Sequence, residues 1–332
     1  PGSAGIHTFN GGLTTTSATG TVQFNSTIQT SNDPVVLGAV RITGALTIDT
    51  NATSNVADIT IGGTVTVGAG GNLTLSTGNN IAGADVTASG AISGLGNLIL
   101  ADVGGTATFS NNVAVAALTA ANTVANITFT GSTNTFSAAS TLANDGTLTF
   151  GDATGDSFTF NGGLNTSSVA GTVTLNTSIS SSNDAMVFGA ITLGNNVILD
   201  TNASSTTGDL TLGVVTGGSN TLTLSTGNNV NNSDITASGN ISGVTTLTLA
   251  DVGGTATLSG DVDVTTLTVG NTVLNVAFTG NGSSVANAVA FANDGTLILG
   301  TSGGTQTYNA GLTTTSVGST VTLNGTVATS ND

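Results

Sequence analysis

The chain of 332 residues carries one basic residue, Arg41, against 17 acidic ones, all aspartate, and its net charge is −16 with no cysteine. So little positive charge cannot neutralise phosphates, which excludes nucleic acid as a partner and an anionic membrane surface as a support. The lack of cysteine removes disulfide and thiolate chemistry, and no apolar run approaches the roughly 18 residues that a membrane span requires.

Taken in order, the candidate strands are two apolar residues separated by one. The series runs Val22/Phe24, Leu46/Ile48, Leu73/Leu75, Leu98/Leu100, Ile127/Phe129, Leu148/Phe150 and Val173/Leu175. It continues with Val197/Leu199, Leu222/Leu224, Leu247/Leu249, Val276/Phe278, Leu297/Leu299 and Val321/Leu323. Apolar-x-apolar is the period-2 signature of a strand with one buried face. A turn rich in Gly, Asn, Asp, Ser or Thr follows almost every pair. The spacing predicts a coil of roughly 25 residues with two or three short strands. Stacked coils make the chain all-β, a β-solenoid or parallel β-helix.

A longer period encloses the short one. Phe9–Asp33, Phe160–Asp184 and Tyr308–Asp332 align, with starts 151 and 148 residues apart, and LADVGGTAT occurs at both 100–108 and 249–257. Long repeat one is placed at 1–159, repeat two at 160–307 and the start of repeat three at 308–332, all in one continuous solenoid. About six coils are expected in each. The third copy stops mid-unit, so the chain is expected to belong to a longer array. Helix is disfavoured by the abundance of Gly and β-branched residues. A β-sandwich is the rival fold, since short strands and frequent turns suit it too.

The interior is expected to hold ladders of Val, Leu, Ile and Ala with some Phe, and Thr, Ser and Asn should cover the outside. Like charges on successive coils would repel, and the column that follows the paired strand keeps its aspartates, Asp49 and Asp200, six coils apart. Between the inward pairs lies an outward column containing Thr47, Thr74, Thr128, Thr149, Thr174, Thr223, Thr248 and Thr322. Gln23, Ile99, Ile198, Ala277 and Ile298 interrupt it. Those interruptions suit packing against a neighbouring molecule better than binding to ice.

Little here points to catalysis. His7 is the only histidine, so a triad or a histidine-based metal site is not expected. Asp261/Asp263 and Asp152/Asp156 are the nearest carboxylate pairs. The counterparts of the first pair are Asn112 and Ala114, so the pair is not repeated within the chain. No enzyme activity and no cofactor are expected. Ca²⁺ is the one ion considered, with candidate ligands Asp33, Asp184 and Asp332 in SND turns, Asp145 and Asp294 in ANDG, and Asp102 and Asp251 in ADVGG. The competing reading makes these aspartates turn formers whose carboxylates accept local N–H groups. Neither the G-G-x-G-x-D calcium repeat nor an EF-hand loop is present.

The phrases GNLTLSTGNNIAGADVTASGAISG (71–94) and NTLTLSTGNNVNNSDITASGNISG (220–243) resemble the repeats of filamentous-haemagglutinin-like and autotransporter passenger proteins. The composition resembles that of bacterial surface-layer proteins. The resemblance implies export, exposure on a bacterial cell surface, and adhesion or coat formation, and it transfers no site residue. The expected role is a structural extracellular repeat protein in a filament, fibre, sheath or layer, whose main partner is itself. An adhesin stalk, or a passenger that contacts a surface glycan or a neighbouring cell, is the alternative. A carbohydrate-active β-helix is a remote third.

Overall fold

The computed structural model describes residues 5–330 other than 69, 79, 206, 207 and 228–231. Its regular elements are all strands, wound as a β-solenoid of about 15 turns, and the strand pairings are parallel. Two compact units divide the chain: one takes residues 1–158 and 168–173, the other 159–167 and 174–332.

In the first unit each turn passes through three sheets. One sheet begins Ile6–Phe9, Thr27–Thr30, Leu46–Asp49, Leu73–Ser76. A second begins Leu13–Thr14, Val35–Leu37, Ile59–Ile61, Val86–Ala88. The third begins Val22–Phe24, Val40–Ile42, Val65–Val67. The long strand Ile92–Phe109 runs around two corners and contributes to all three sheets. The second unit has the same three-sheet turn.

The expected coil of roughly 25 residues is an average over two different things. True register steps range from 18 residues, Val22 to Val40, to 27, Leu46 to Leu73, with a coil size of roughly 21 residues. The series of apolar pairs also changes face without showing it. Leu98/Leu100 stacks on Leu118/Ala120, whereas Ile127/Phe129 stacks on Ala107/Phe109. The step of 29 between those pairs is therefore a change of sheet and not a long coil. Strands such as Val113–Ala120 carry alanine at the outward positions Ala114, Ala116 and Ala117, so both faces read as apolar and the alternation is faint in the sequence.

Inward positions are almost fully closed to solvent. Val35, Ile59 and Val86 follow one another in one ladder at 0% exposure, and each such side chain contributes about 1.5–3 kcal/mol relative to exposure. The first unit also encloses an aromatic column. Phe109, Phe129 and Phe150 stack with centroids 4.9 and 6.0 Å apart, while Phe136 and Phe158 meet Phe129 edge-on. In the second unit Phe291 contacts Phe278 and Tyr308 edge-on, at 5.9 and 6.4 Å.

The outward threonines do not form the single column expected. Thr47 and Thr74 lead to Ile99 and Thr119 on one sheet. Thr128 and Thr149 lie on another, where they continue Thr60, Thr87 and Thr108 over five consecutive turns.

Candidate functional site

A strand can reach the next turn only while its ladder continues, so the corners must satisfy their N–H groups by other means. Asparagine and aspartate do this with one repeated device. An Oδ1 on one turn accepts the N–H of the residue above it. Asn72 serves Asn97, Asn126 serves Thr147 and Asn275 serves Thr296, at 2.8, 2.9 and 2.9 Å. Asp58 accepts from Asp85 N at 2.9 Å, and Asp85 accepts from Thr106 N at 2.7 Å. The second repeat copies this with Asp209, Asp234 and Thr255, at 2.9 and 2.7 Å.

These aspartates correct the expectation that like charges are kept off successive turns. Asp58 and Asp85 are neighbours in one column, as are Asp209 and Asp234. At about 4.8 Å the repulsion is on the order of 1 kcal/mol in water. A hydrogen bond to a charged acceptor returns about 1.5–3 kcal/mol. The pattern Asp-apolar-Thr, at 58–60, 85–87, 209–211 and 234–236, is the signal that would have found them.

The same corner explains the glycines of LADVGGTAT. A Cβ on Gly105 would land on Asp85 Oδ1, and one on Gly254 would land on Asp234 Oδ1. Glycine here makes room for the carboxylate that caps the following threonine.

The Ca²⁺ candidates are held apart, each in its own turn. In the SND turns the residue making the bridging contacts is asparagine. Asn32 Oδ1 accepts from Thr53 N and Ser54 N at 2.7 and 2.8 Å, and Asn183 Oδ1 from Ser204 N and Ser205 N at 2.6 Å. Asp33 and Asp184 use their backbone carbonyls, which accept from the Thr30 and Ser181 hydroxyls. Asp332 lies outside the described residues. In ANDG the work again falls to asparagine: buried Asn144 donates Nδ2 to the carbonyls of Ala125, Gly146 and Thr147, and Asn293 donates to Leu274 and Thr296. Asp145 and Asp294 give their backbone N–H to Val124 and Val273 at 2.8 Å. Asp102 Oδ1 accepts from Asn80 N at 3.2 Å, whereas Asp251 sits at φ 49° and donates its N–H to Thr272 Oγ1. Among the described residues no three His or Asp side chains converge as metal ligands.

The two carboxylate pairs have structural partners. Asp156 Oδ2 accepts from the N–H groups of Asp152 and Ala153 at 2.9 and 3.1 Å. Asp261 Oδ1 accepts from Gly282 N at 2.7 Å. Burial, and then the charge of Asp261, raise the pKa of Asp263 above the ordinary carboxylate value, while a hydrogen bond from the Ser284 backbone works against them. His7 is exposed on the strand Ile6–Phe9.

A surface hollow recurs at the same place in the two long repeats. In the first unit it measures about 280 Å³ and is lined by Gly94, Leu95, Ala114, Val115 and Thr135 among others. In the second it measures about 260 Å³ and is lined by the equivalent Gly243, Val244, Asp263, Val264 and Ser284 among others. The register slips beside both, between Ser93 and Leu95 and between Ser242 and Val244. Gly94 and Gly243 take φ of 77° and 68° there, a conformation that suits glycine. The floor is apolar in both hollows, whereas the rim changes from Ala114 to Asp263 and from Ala116 to Thr265. Comparison with protein-family models, curated proteins and solved structures finds no match to this chain.

Proposed function

We propose that the protein is a structural repeat protein of a bacterial cell surface, built into an extracellular filament, fibre, sheath or layer and associating with copies of itself. The observation that carries this reading is where the polar chemistry goes. Corner aspartates and asparagines spend their acceptors on the N–H of the next turn, as Asp85 does for Thr106 and Asp234 for Thr255. Such side chains hold neighbouring turns together, and contacts between neighbouring turns are what stabilise a stacked repeat protein. Inward ladders at 0% exposure and the corner caps favour stiffness and resistance to proteases. The acidic, cysteine-free composition and the resemblance to surface repeat proteins support the location.

A second reading is a stalk or passenger that presents a binding surface. The hollow repeated at Gly94 and Gly243 favours it. Electron microscopy of the purified chain over a concentration series separates the two. Ordered lateral or end-to-end association supports assembly. Particles that stay single at every concentration, and that retain a glycan on an array, would replace the first reading with the second.

A further inference from the structure

We infer that the long repeat does not close on a whole number of turns, so that equivalent surfaces of successive repeats point to different sides of the solenoid. Repeat one opens on Ile6–Phe9 and repeat two on Ser157–Phe160. Between these openings the chain makes 20 strand passes, counting three for Ile92–Phe109 and two for Val113–Ala120. From Ser157–Phe160 to Thr305–Tyr308, which opens repeat three, it again makes 20, counting two each for Ile241–Ala250 and Val262–Val269. With three passes per turn, 20 passes are two-thirds of a turn beyond six.

Each unit shows the consequence separately. In the first, Ile6–Phe9 heads the sheet of Thr27–Thr30 and Leu46–Asp49, whereas the strand of Phe158 adds to Thr133–Phe136 in another sheet. In the second, Thr159 lies beside Ser180 in the sheet of Val197–Asp200 and Thr221–Ser225. Its repeat equivalent Thr307 lies beside Ser284, in the sheet that contains Asp263 and Ser242. The offset recurs although the two repeats differ in length by three residues, so it belongs to the strand count and not to loop lengths.

The use of this arrangement follows from geometry. A surface borne by the strands that open each repeat turns to another face, as Thr159 and Thr307 do within the second unit, and the same face returns only after three repeats. Rigid neighbours that recognise that surface are met on three sides of an array and not along one edge. Among such neighbours, copies of this chain deepen the assembly reading, but the rotation itself is measured on single chains and stands or falls apart from it.

The test uses cysteine substitution, since the chain has no cysteine of its own. Thr159→Cys and Thr307→Cys are combined, and each thiol is coupled through a short linker to a globular protein of about 250 residues, roughly 45 Å across. The sites are about 32 Å apart along the axis at about 4.8 Å per turn. On one side of the coil two such labels exclude each other. On two faces of a three-sided coil their centres stand about 60 Å apart and both fit. Ile198→Cys with Thr268→Cys is the same-face control, three turns or about 14 Å apart, through Thr223 and Thr248. The expected result is two labels per chain on two different faces in negative stain for 159/307, and one for 198/268. A second equivalent pair, Ser180→Cys with Ala328→Cys, repeats the test should the first fail to fold. One label per chain in the equivalent pairs, or two labels on the same face in every particle view, would overturn the inference.

Discussion

Phe129 and Phe278 occupy the same place in successive repeats, yet their surroundings differ, and this allows a controlled test of what packs the interior. Phe129 meets four rings, Phe109 at 4.9 Å, Phe150 at 6.0 Å, Phe136 at 6.4 Å and Phe158 at 6.0 Å. Phe278 meets one, Phe291 at 5.9 Å, because the other equivalents are Leu258, Val285, Leu299 and Gln306. Truncating a buried Phe to Ala costs about 3–5 kcal/mol. Each ring contact adds about 0.5–1.5 kcal/mol beyond the area buried. Three additional contacts therefore make Phe129→Ala costlier than Phe278→Ala by about 2 kcal/mol or somewhat more. A stacked protein opens locally, so the measurement is native-state hydrogen exchange, not a single melting temperature. The amides of Thr128 and Thr149 should lose about 30-fold more protection in Phe129→Ala than those of Ala277 and Ile298 lose in Phe278→Ala. Equal losses would show that ring contacts add nothing to area, and the argument would fail.

The remaining predictions concern corners and titrating groups. Gly254→Ala should destabilise its corner by about 2–4 kcal/mol, since the new methyl displaces the Asp234 cap and crowds Ser233 O at 2.9 Å. Gly155→Ala, with nothing within 4 Å, should change stability by less than about 1 kcal/mol, and similar losses for the two in denaturant titration would refute the crowding argument. Asp234→Ala should cost about 1–3 kcal/mol by stranding Thr255 N, whereas Asp234→Asn keeps an acceptor and removes a charge beside Asp209, so amide exchange at Thr255 should rise only in the alanine variant. Asp263 has a raised pKa, so its folded form holds the proton more tightly than the unfolded chain and its ionisation opposes folding. Stability should therefore gain as pH falls through the carboxylate range, and Asp263→Asn should flatten that part of the pH profile. Burial raises the Tyr308 pKa above the ordinary value near 10. The stability tied to its neutral form is present below pH 10 and lost above it, and the absence of Lys, Cys and other Tyr leaves few other groups titrating there. An alkaline fall in unfolding midpoint that persists in Tyr308→Phe would assign it elsewhere.

Composition and pattern determined much of this protein directly. Alternation at pairs such as Leu73/Leu75 and Leu148/Phe150, punctuated by Gly and Asn turns, specifies one-sided strands, and their repetition specifies stacking. Both are local properties that a reader of residues can count. The ladder partners were less legible. Leu100 and Phe129 look like successive members of one column, yet Leu100 rests beneath Ala120 and Phe129 beside Phe109. Apolar-x-apolar states that a strand has an inner face and says nothing about which of three sheets it joins. The corner ligands were hidden for a related reason. Asp33 and Asp184 stood out because they recur, but Asp85 and Asp234 cap the next turn, a contact set by residues about 21 positions away. The phase of the long repeat belongs to the same class. It depends on how many times the chain bends around the axis, and only the pairing of distant strands decides that number.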